Sequence, residues 1–216
     1  WTAYDDWLRH TEAFPGDLVA FDLTGFLITT STGPDMFDRV EQLIKRTRDA
    51  TGEHVSVLGY EAMLRQEQGR LDEVHRLASR SLELDPPGSD GAHPMAHVYF
   101  ESGDHADGLA FLDGWLPITD QAAKFRTHLV WHAALHELSL EDAAAVRRRY
   151  REQLAPPQVA VLRALVDSAS LLWRAALAGV WDDDPRRIEA VLAVVDPQDV
   201  FRPRTPFAAW VPRAPA

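Results

Sequence analysis

AMLRQEQGRLDEVHRLASRSLELDP (residues 62–86) is answered by AHVYFESGDHADGLAFLDGWLPITD (residues 96–120) without a gap. Ala62, Gly69 and Val74 recur as Ala96, Gly103 and Gly108, thirty-four residues on. That period is the length of a helix–turn–helix unit of the tetratricopeptide kind, in which each pair buries its apolar face against the next. The frame runs backwards from Val74 to Val40, and one further step forward needs an insertion of a few residues near Leu138–Glu141. Beyond residue 155 the repeat is lost, and a long helix over 158–178 is expected to cap the array, since stacked repeats must cover their last apolar face.

Apolar spacing of three and four residues runs through the chain, and no period-two strand appears. It predicts helices over 2–12, 17–31, 35–49, 54–68, 71–84, 92–102, 105–115, 120–138, 141–153, 158–178 and 185–195. Turns fall at Phe14-Pro15-Gly16, Thr32-Gly33-Pro34, Asp85-Pro86-Pro87-Gly88 and Ala155-Pro156-Pro157, where proline and glycine punctuate the pattern. Pro94 is placed in the first turn of its helix, where a missing N–H costs little. Asp182-Asp183-Asp184 before Pro185 reads as a helix start, because acids favour the positive helix end. The proline-rich tail Arg202–Ala216 reads as irregular, with Phe207 and Trp210 as anchors. Trp7–Pro15 reads as the closing helix of a pair whose partner would lie upstream of Trp1. With no linker rich enough to divide it, the chain is expected to be a single tetratricopeptide-like helical repeat domain over 1–216, an all-α solenoid of helix pairs with a C-terminal capping helix.

The 216 residues are 46% hydrophobic and 25% charged, as in an ordinary folded protein. Cysteine is absent, which removes disulfides, thiolate metal sites and cysteine nucleophiles and fits a cytoplasmic setting. A net charge of −11 argues against nucleic acid, whose phosphates need a basic surface. No apolar run reaches the roughly 18 residues of a membrane span, so no membrane partner is expected. Self-association stays open. No glycine-rich phosphate loop is present, and Arg147-Arg148-Arg149 with Arg151 reads as a solvated helix face.

Three segments, HPMAHVYFESGD (93–104), HLVWHAAL (128–135) and DSASLLWR (167–174), stand in that order after the GRLDEV–SLELDP repeat. In them the chain resembles the tetratricopeptide repeat protein 38 family, over roughly residues 54–180. The matching residues are His93, His97, Glu101, Gly103, His128, Trp131, His132, Asp167, Trp173 and Arg174. The resemblance implies an all-α superhelix and carries no settled activity. The chain departs from the pattern near its end, where Thr205–Trp210 (TPFAAW) stands in place of an Asn-Asp-x-His-like segment.

Residues four apart on a helix lie one turn above one another. His93, His97 and Glu101 therefore form one ridge, and His128, His132 and His136 another. In the repeat frame the first ridge falls on the groove-facing helix, and one period earlier Gly59, Met63 and Glu67 hold the same places without a histidine. Three readings stand side by side. The histidines are structural, hydrogen-bonded to Glu101, Asp167 or backbone carbonyls, because buried polar groups are paired. Or they bind a small polar molecule or a peptide segment in a pocket walled by Trp131 and Trp173, with Asp167 and Arg174 in support. Or His93, His97, His128 and His132 hold a metal, a minority reading because the glutamate of the HExxH pattern is absent.

The working expectation is ligand binding through His93, His97, Glu101, His128, Trp131, His132, Asp167 and Arg174, with no cofactor. The enzyme alternative makes His97 or His132 a general base oriented by Glu101. A pocket ringed by imidazoles would favour it, whereas an apolar groove would favour a peptide. Asp167 needs a partner in its apolar helix, either Arg174 or a ridge histidine. Ser168 lacks the turn and oxyanion loop of a nucleophile. Trp115 and Trp173 read as core aromatics.

Overall fold

The computed structural model describes residues 2–29, 35–123, 125–156, 164–181 and 185–193. Every regular element among them is helical, so the chain is all-α. The described helices include none long and apolar enough to cross a membrane. The expected tail Arg202–Ala216, with Phe207 and Trp210, lies outside the described residues. The contacts divide the chain into two compact units, Trp1–Asp104 with Pro117–Phe125, and His105–Leu116 with Arg126–Ala216.

The first unit holds α1 (Thr2–Ala13), α2 (Leu18–Thr29), α3 (Met36–Thr51), α4 (Val55–Glu67), α5 (Leu71–Leu84) and α6 (Ser89–Ser102). Its core gathers Phe21, Val40, Leu43, Ile44, Val57 and Leu64, with Leu8, Leu18, Met36 and Tyr60 packed around it. Helices α4, α5 and α6 pack against one another. The approach of α4 to α6 is very close at Gly59, where an added Cβ would sit 2.6 Å from the Asp90 carbonyl oxygen. Helix α6 begins at Ser89, three residues before the predicted start, which puts Pro94 inside the helix and not in its first turn. Proline cannot donate to the carbonyl four residues back, and that Asp90 carbonyl is the group that lies against Gly59.

The repeated glycine of the sequence pattern has a structural cause. Gly69 and Gly103 are left-handed, at φ +70° and +79°, a conformation that costs a residue with a Cβ but not glycine. Behind them Arg70 N–H bonds the Arg65 carbonyl at 2.9 Å and Asp104 N–H bonds the Tyr99 carbonyl at 3.0 Å. Both helices thus end in the same doubly bonded stop. Helix α8 ends alike, with Asp142 N–H on the Glu137 carbonyl at 3.0 Å, but there the left-handed residue is Glu141, at φ 59°. Glu141 falls in the stretch where the repeat frame needed an insertion.

The second unit holds α7 (His105–Trp115), α8 (Arg126–Ser139) and α9 (Ala143–Arg149), which runs into a π-helical turn, Tyr150–Leu154. A second π-helical turn, Ala164–Ser168, leads into α10 (Ala169–Leu177), followed by α11 (Pro185–Ala193). Leu112, Leu129, Ala133, Val146, Leu154 and Leu171 are wholly buried in it. Helix α8 starts at Arg126 and not at 120, because Asp120 closes a turn on the Ala122 N–H at 2.7 Å. Of the long helix expected over 158–178, the described part is the second π-helical turn and α10; residues 157–163 lie outside the described set.

Two side-chain expectations are overturned. Arg149 is not part of a solvated face: it donates to Glu137 Oε1 at 2.7 Å and to Asp113 Oδ1 at 2.9 Å. It shares the inward face of α9 with Ala145 and Val146. Trp115 is buried as predicted, but Trp173 is 66% exposed. Helix α10 turns Leu171, Leu172 and Ala175 inward, and Trp173 takes the outer side.

Candidate ligand pocket and the two histidine ridges

Helices α4 and α6 flank a cavity of about 290 Å³ in the first unit, lined by Gly59, Met63 and Glu67 on α4 and by His93 on α6. The repeat frame led these positions to be expected on one groove-facing surface. Met36, Phe37, Val40, Leu64, Pro94 and Phe125 supply apolar walls, and Tyr60, Ser89 and Asp90 add polar groups. Phe125, met just before α8, stacks on His93 at 4.8 Å between ring centroids. Tyr60 donates its hydroxyl to the Asp22 carbonyl at 2.8 Å. Burial, and then the nearby Asp22 charge, raise its pKa well above the phenol range, so it remains a neutral wall. Asp90 accepts from the Ser56 hydroxyl at 3.1 Å.

The first ridge forms as the spacing requires. His93 Nε2 and His97 Nε2 stand 3.2 Å apart, and His97 Nδ1 lies 3.7 Å from Glu101 Oε1. Gln66 Nε2–H donates to that same oxygen at 2.6 Å. His93 is the member of the ridge that lines the cavity; His97 and Glu101 stand behind it. Both histidines are half-buried, so the ridge is in contact with solvent as well as protein.

The second ridge belongs to α8 and differs in depth. His132 is 2% exposed and His136 is fully buried. His128 Nδ1–H donates to Asp167 Oδ1 at 2.9 Å, with the carboxylate side chain only 1% exposed. The partner of Asp167 is therefore a ridge histidine, and Arg174 instead donates to Ser170 Oγ at 2.6 Å and lies 5.8 Å from the Trp131 ring centroid. Trp131 stacks on His128 at 5.1 Å and 15°, and His132 meets His128 edge-on at 4.7 Å. Ser168 is buried and donates to the Leu154 carbonyl.

His136 has a partner on a different helix. Its Nδ1 stands 3.2 Å from His105 Nδ1 on α7. Burial, and then the charge of His105, lower the His136 pKa from 6.5 to about 4. Burial beside another imidazole favours the neutral form of His136 near physiological pH.

Of the residues expected to form one site, the structure brings His93, His97 and Glu101 together in the first unit. It brings His128, Trp131, His132, Asp167 and Arg174 together in the second. Tyr60, Asp90, Phe37 and Phe125 are pocket residues the spacing did not flag. Asp90 alone carried a signal, since it stands one thirty-four-residue step beyond Ser56, the residue it bonds. No protein-family model matches the chain.

Proposed function

We propose that this chain is a tetratricopeptide-like repeat protein, closed by its C-terminal helices, that binds a peptide segment in the pocket between α4 and α6. The observation that carries the reading is the coincidence of Gly59, Met63, Glu67 and His93, all groove positions of the repeat, around one cavity of about 290 Å³. The pocket is mostly apolar with a few polar groups, the usual character of a binding site. Its volume suits one large apolar side chain. Glu67 and Asp90 at its border, on a chain of net charge −11, favour a basic residue beside that anchor.

Fluorescence anisotropy with labelled peptides tests this reading, using a central Leu or Phe flanked by lysines against the same core flanked by glutamates. The lysine-flanked peptides bind, and Glu67→Lys weakens them about tenfold, a difference of about 1.4 kcal/mol. Equal binding of both sets, or affinity untouched by Glu67→Lys and His93→Ala, removes the pocket from consideration.

A second reading, acid–base chemistry at His93, is favoured by the line from Glu101 through His97 to the cavity. A carboxylate behind a pair of imidazoles can orient the ring in front of it. It requires the NMR titration of His93 to move in Glu101→Gln; a fixed midpoint would end it.

A further inference from the structure

The second ridge suggests a use other than peptide binding. Metal-binding histidines donate their other ring N–H to a carboxylate, which fixes the tautomer and sharpens the ligating nitrogen. His128 has that arrangement. Its Nδ1–H is held by Asp167 Oδ1 at 2.9 Å, so the lone pair resides on Nε2. Asp167 is itself anchored at depth, in the π-helical turn Ala164–Ser168, and π-helical turns recur at functional sites. His132 stands one helical turn further along α8, and the two imidazoles each offer a nitrogen within 4.8 Å of the other. Two nitrogens on one tetrahedral ion, each about 2.0–2.1 Å from it, stand about 3.3 Å apart. A bound ion would draw the pair to that distance, with Trp131 stacked over one face of His128.

We infer that His128 Nε2 and His132 bind a divalent late first-row transition metal such as zinc, with Asp167 as the carboxylate that orients His128. Imidazole donors select this class of ion over magnesium or calcium, which take oxygen ligands. Two protein ligands leave positions for water or a further ligand, so the ion is exchangeable. It enters past His128, whose side chain is 15% exposed, since His132 lies deeper. The remaining ridge member takes no part, because His136 is engaged with His105.

The test uses the whole chain without an affinity tag. Zinc titration by calorimetry, with cobalt absorption as the spectroscopic readout, gives one ion per chain in the parent protein. His128→Ala and His132→Ala each abolish that stoichiometric binding. Asp167→Asn keeps both ligands but releases the hold on His128, and weakens affinity between about 10- and 100-fold. Circular dichroism confirms that each variant keeps its helix content. If an Ala variant unfolds, the Gln variant at the same position takes its place and must show the same loss. The chain carries nine histidines, so a double His128→Ala, His132→Ala variant that binds zinc as tightly as the parent overturns the assignment. So does a parent protein that binds none, or an Asp167→Asn affinity equal to the parent's.

Discussion

The two histidine ridges share one spacing and meet different fates. On α6, His93 and His97 are half-buried, contact each other, and have their carboxylate on the same helix, where Glu101 also accepts from Gln66. On α8, His132 and His136 are buried while His128 is half-buried, and the partners come from other elements: Asp167 for His128 and His105 for His136. Spacing of four residues places side chains in a row. What the row then does depends on depth, because a buried polar group needs a specific partner and a half-exposed one can use water. The ridge on α6 therefore keeps contact with solvent, and the ridge on α8 takes protein partners from other elements of its unit.

The largest expected effect follows from the carboxylates on the two helices. Glu137, 2% exposed on α8, is bonded to Arg149, whose side chain is 9% exposed. Removing one member of a buried pair leaves a charge uncompensated, at about 3–5 kcal/mol. Asp113 still holds Arg149 from its other side, so Glu137→Ala is expected at about 3 kcal/mol, the lower end of that range. Glu101→Ala, on the exposed ridge, is expected to cost less than about 1 kcal/mol. Urea unfolding of the two variants checks the pair. Equal losses would break the distinction between a core ridge and a surface ridge.

Acid comes next in size. His136 protonates near 6.5 when unfolded and near 4 in the fold, for the burial and His105 charge that surround it. Between those values the unfolded chain holds more protons, so stability falls as pH drops from about 6.5 to about 4 and is whole above that window. The difference corresponds to about 3 kcal/mol. Denaturation midpoints at pH 7 and pH 4.5 should separate in the parent and draw together in His136→Gln. An unchanged separation would place the acid sensitivity on other groups.

Sequence alone made the helix boundaries legible where chemistry marks them. Gly69 and Gly103 supply the left-handed residue of a stop, and Asp85-Pro86-Pro87-Gly88 admits no helix. Gly59, Met63 and Glu67 were legible as one set, since one period separates them from His93, His97 and Glu101, and of that second set only His93 joins them at the cavity. The start of α6 was not. Pro94 reads as a first-turn residue, and nothing local says that the carbonyl four residues before it, that of Asp90, will lie against Gly59. The partners of the ridges were illegible for a similar reason. Asp167 reaches His128 from thirty-nine residues away, and periodicity carries no information about such pairings. Arg149 misled because three consecutive arginines look alike in composition, although only one of them points inward with Ala145 and Val146.

The closeness of α4 to α6 sets the next effect. Gly59→Ala puts a methyl group 2.6 Å from the Asp90 carbonyl oxygen, so the helices must separate. Overpacking of this kind costs about 1–3 kcal/mol. Because His93 rides on α6, peptide affinity should fall with stability in this variant. The core of the second unit should keep its hydrogen-exchange protection if the disturbance stays within the first. Loss of protection spread evenly through both would merge the two regions that the ridges distinguish.

The smallest effect concerns how the two ridge helices end. Helices α6 and α8 finish in the same stop, with a left-handed residue followed by a bond to the carbonyl five residues back. Gly103 holds the position after α6 and Glu141 holds it after α8, at φ 79° and φ 59°. A residue with a Cβ loses roughly 1 kcal/mol in that conformation, and glycine does not. Glu141→Gly should therefore stabilise the chain by somewhat less than about 1 kcal/mol, because glycine also gains freedom when unfolded. Gly103→Ala should destabilise it by about 1 kcal/mol. Opposite signs for the two changes would mean that one backbone device ends both ridge helices despite the different residues. If Glu141→Gly is destabilising instead, the glutamate side chain makes a contribution at the end of α8 that glycine cannot replace, and the two stops are not equivalent.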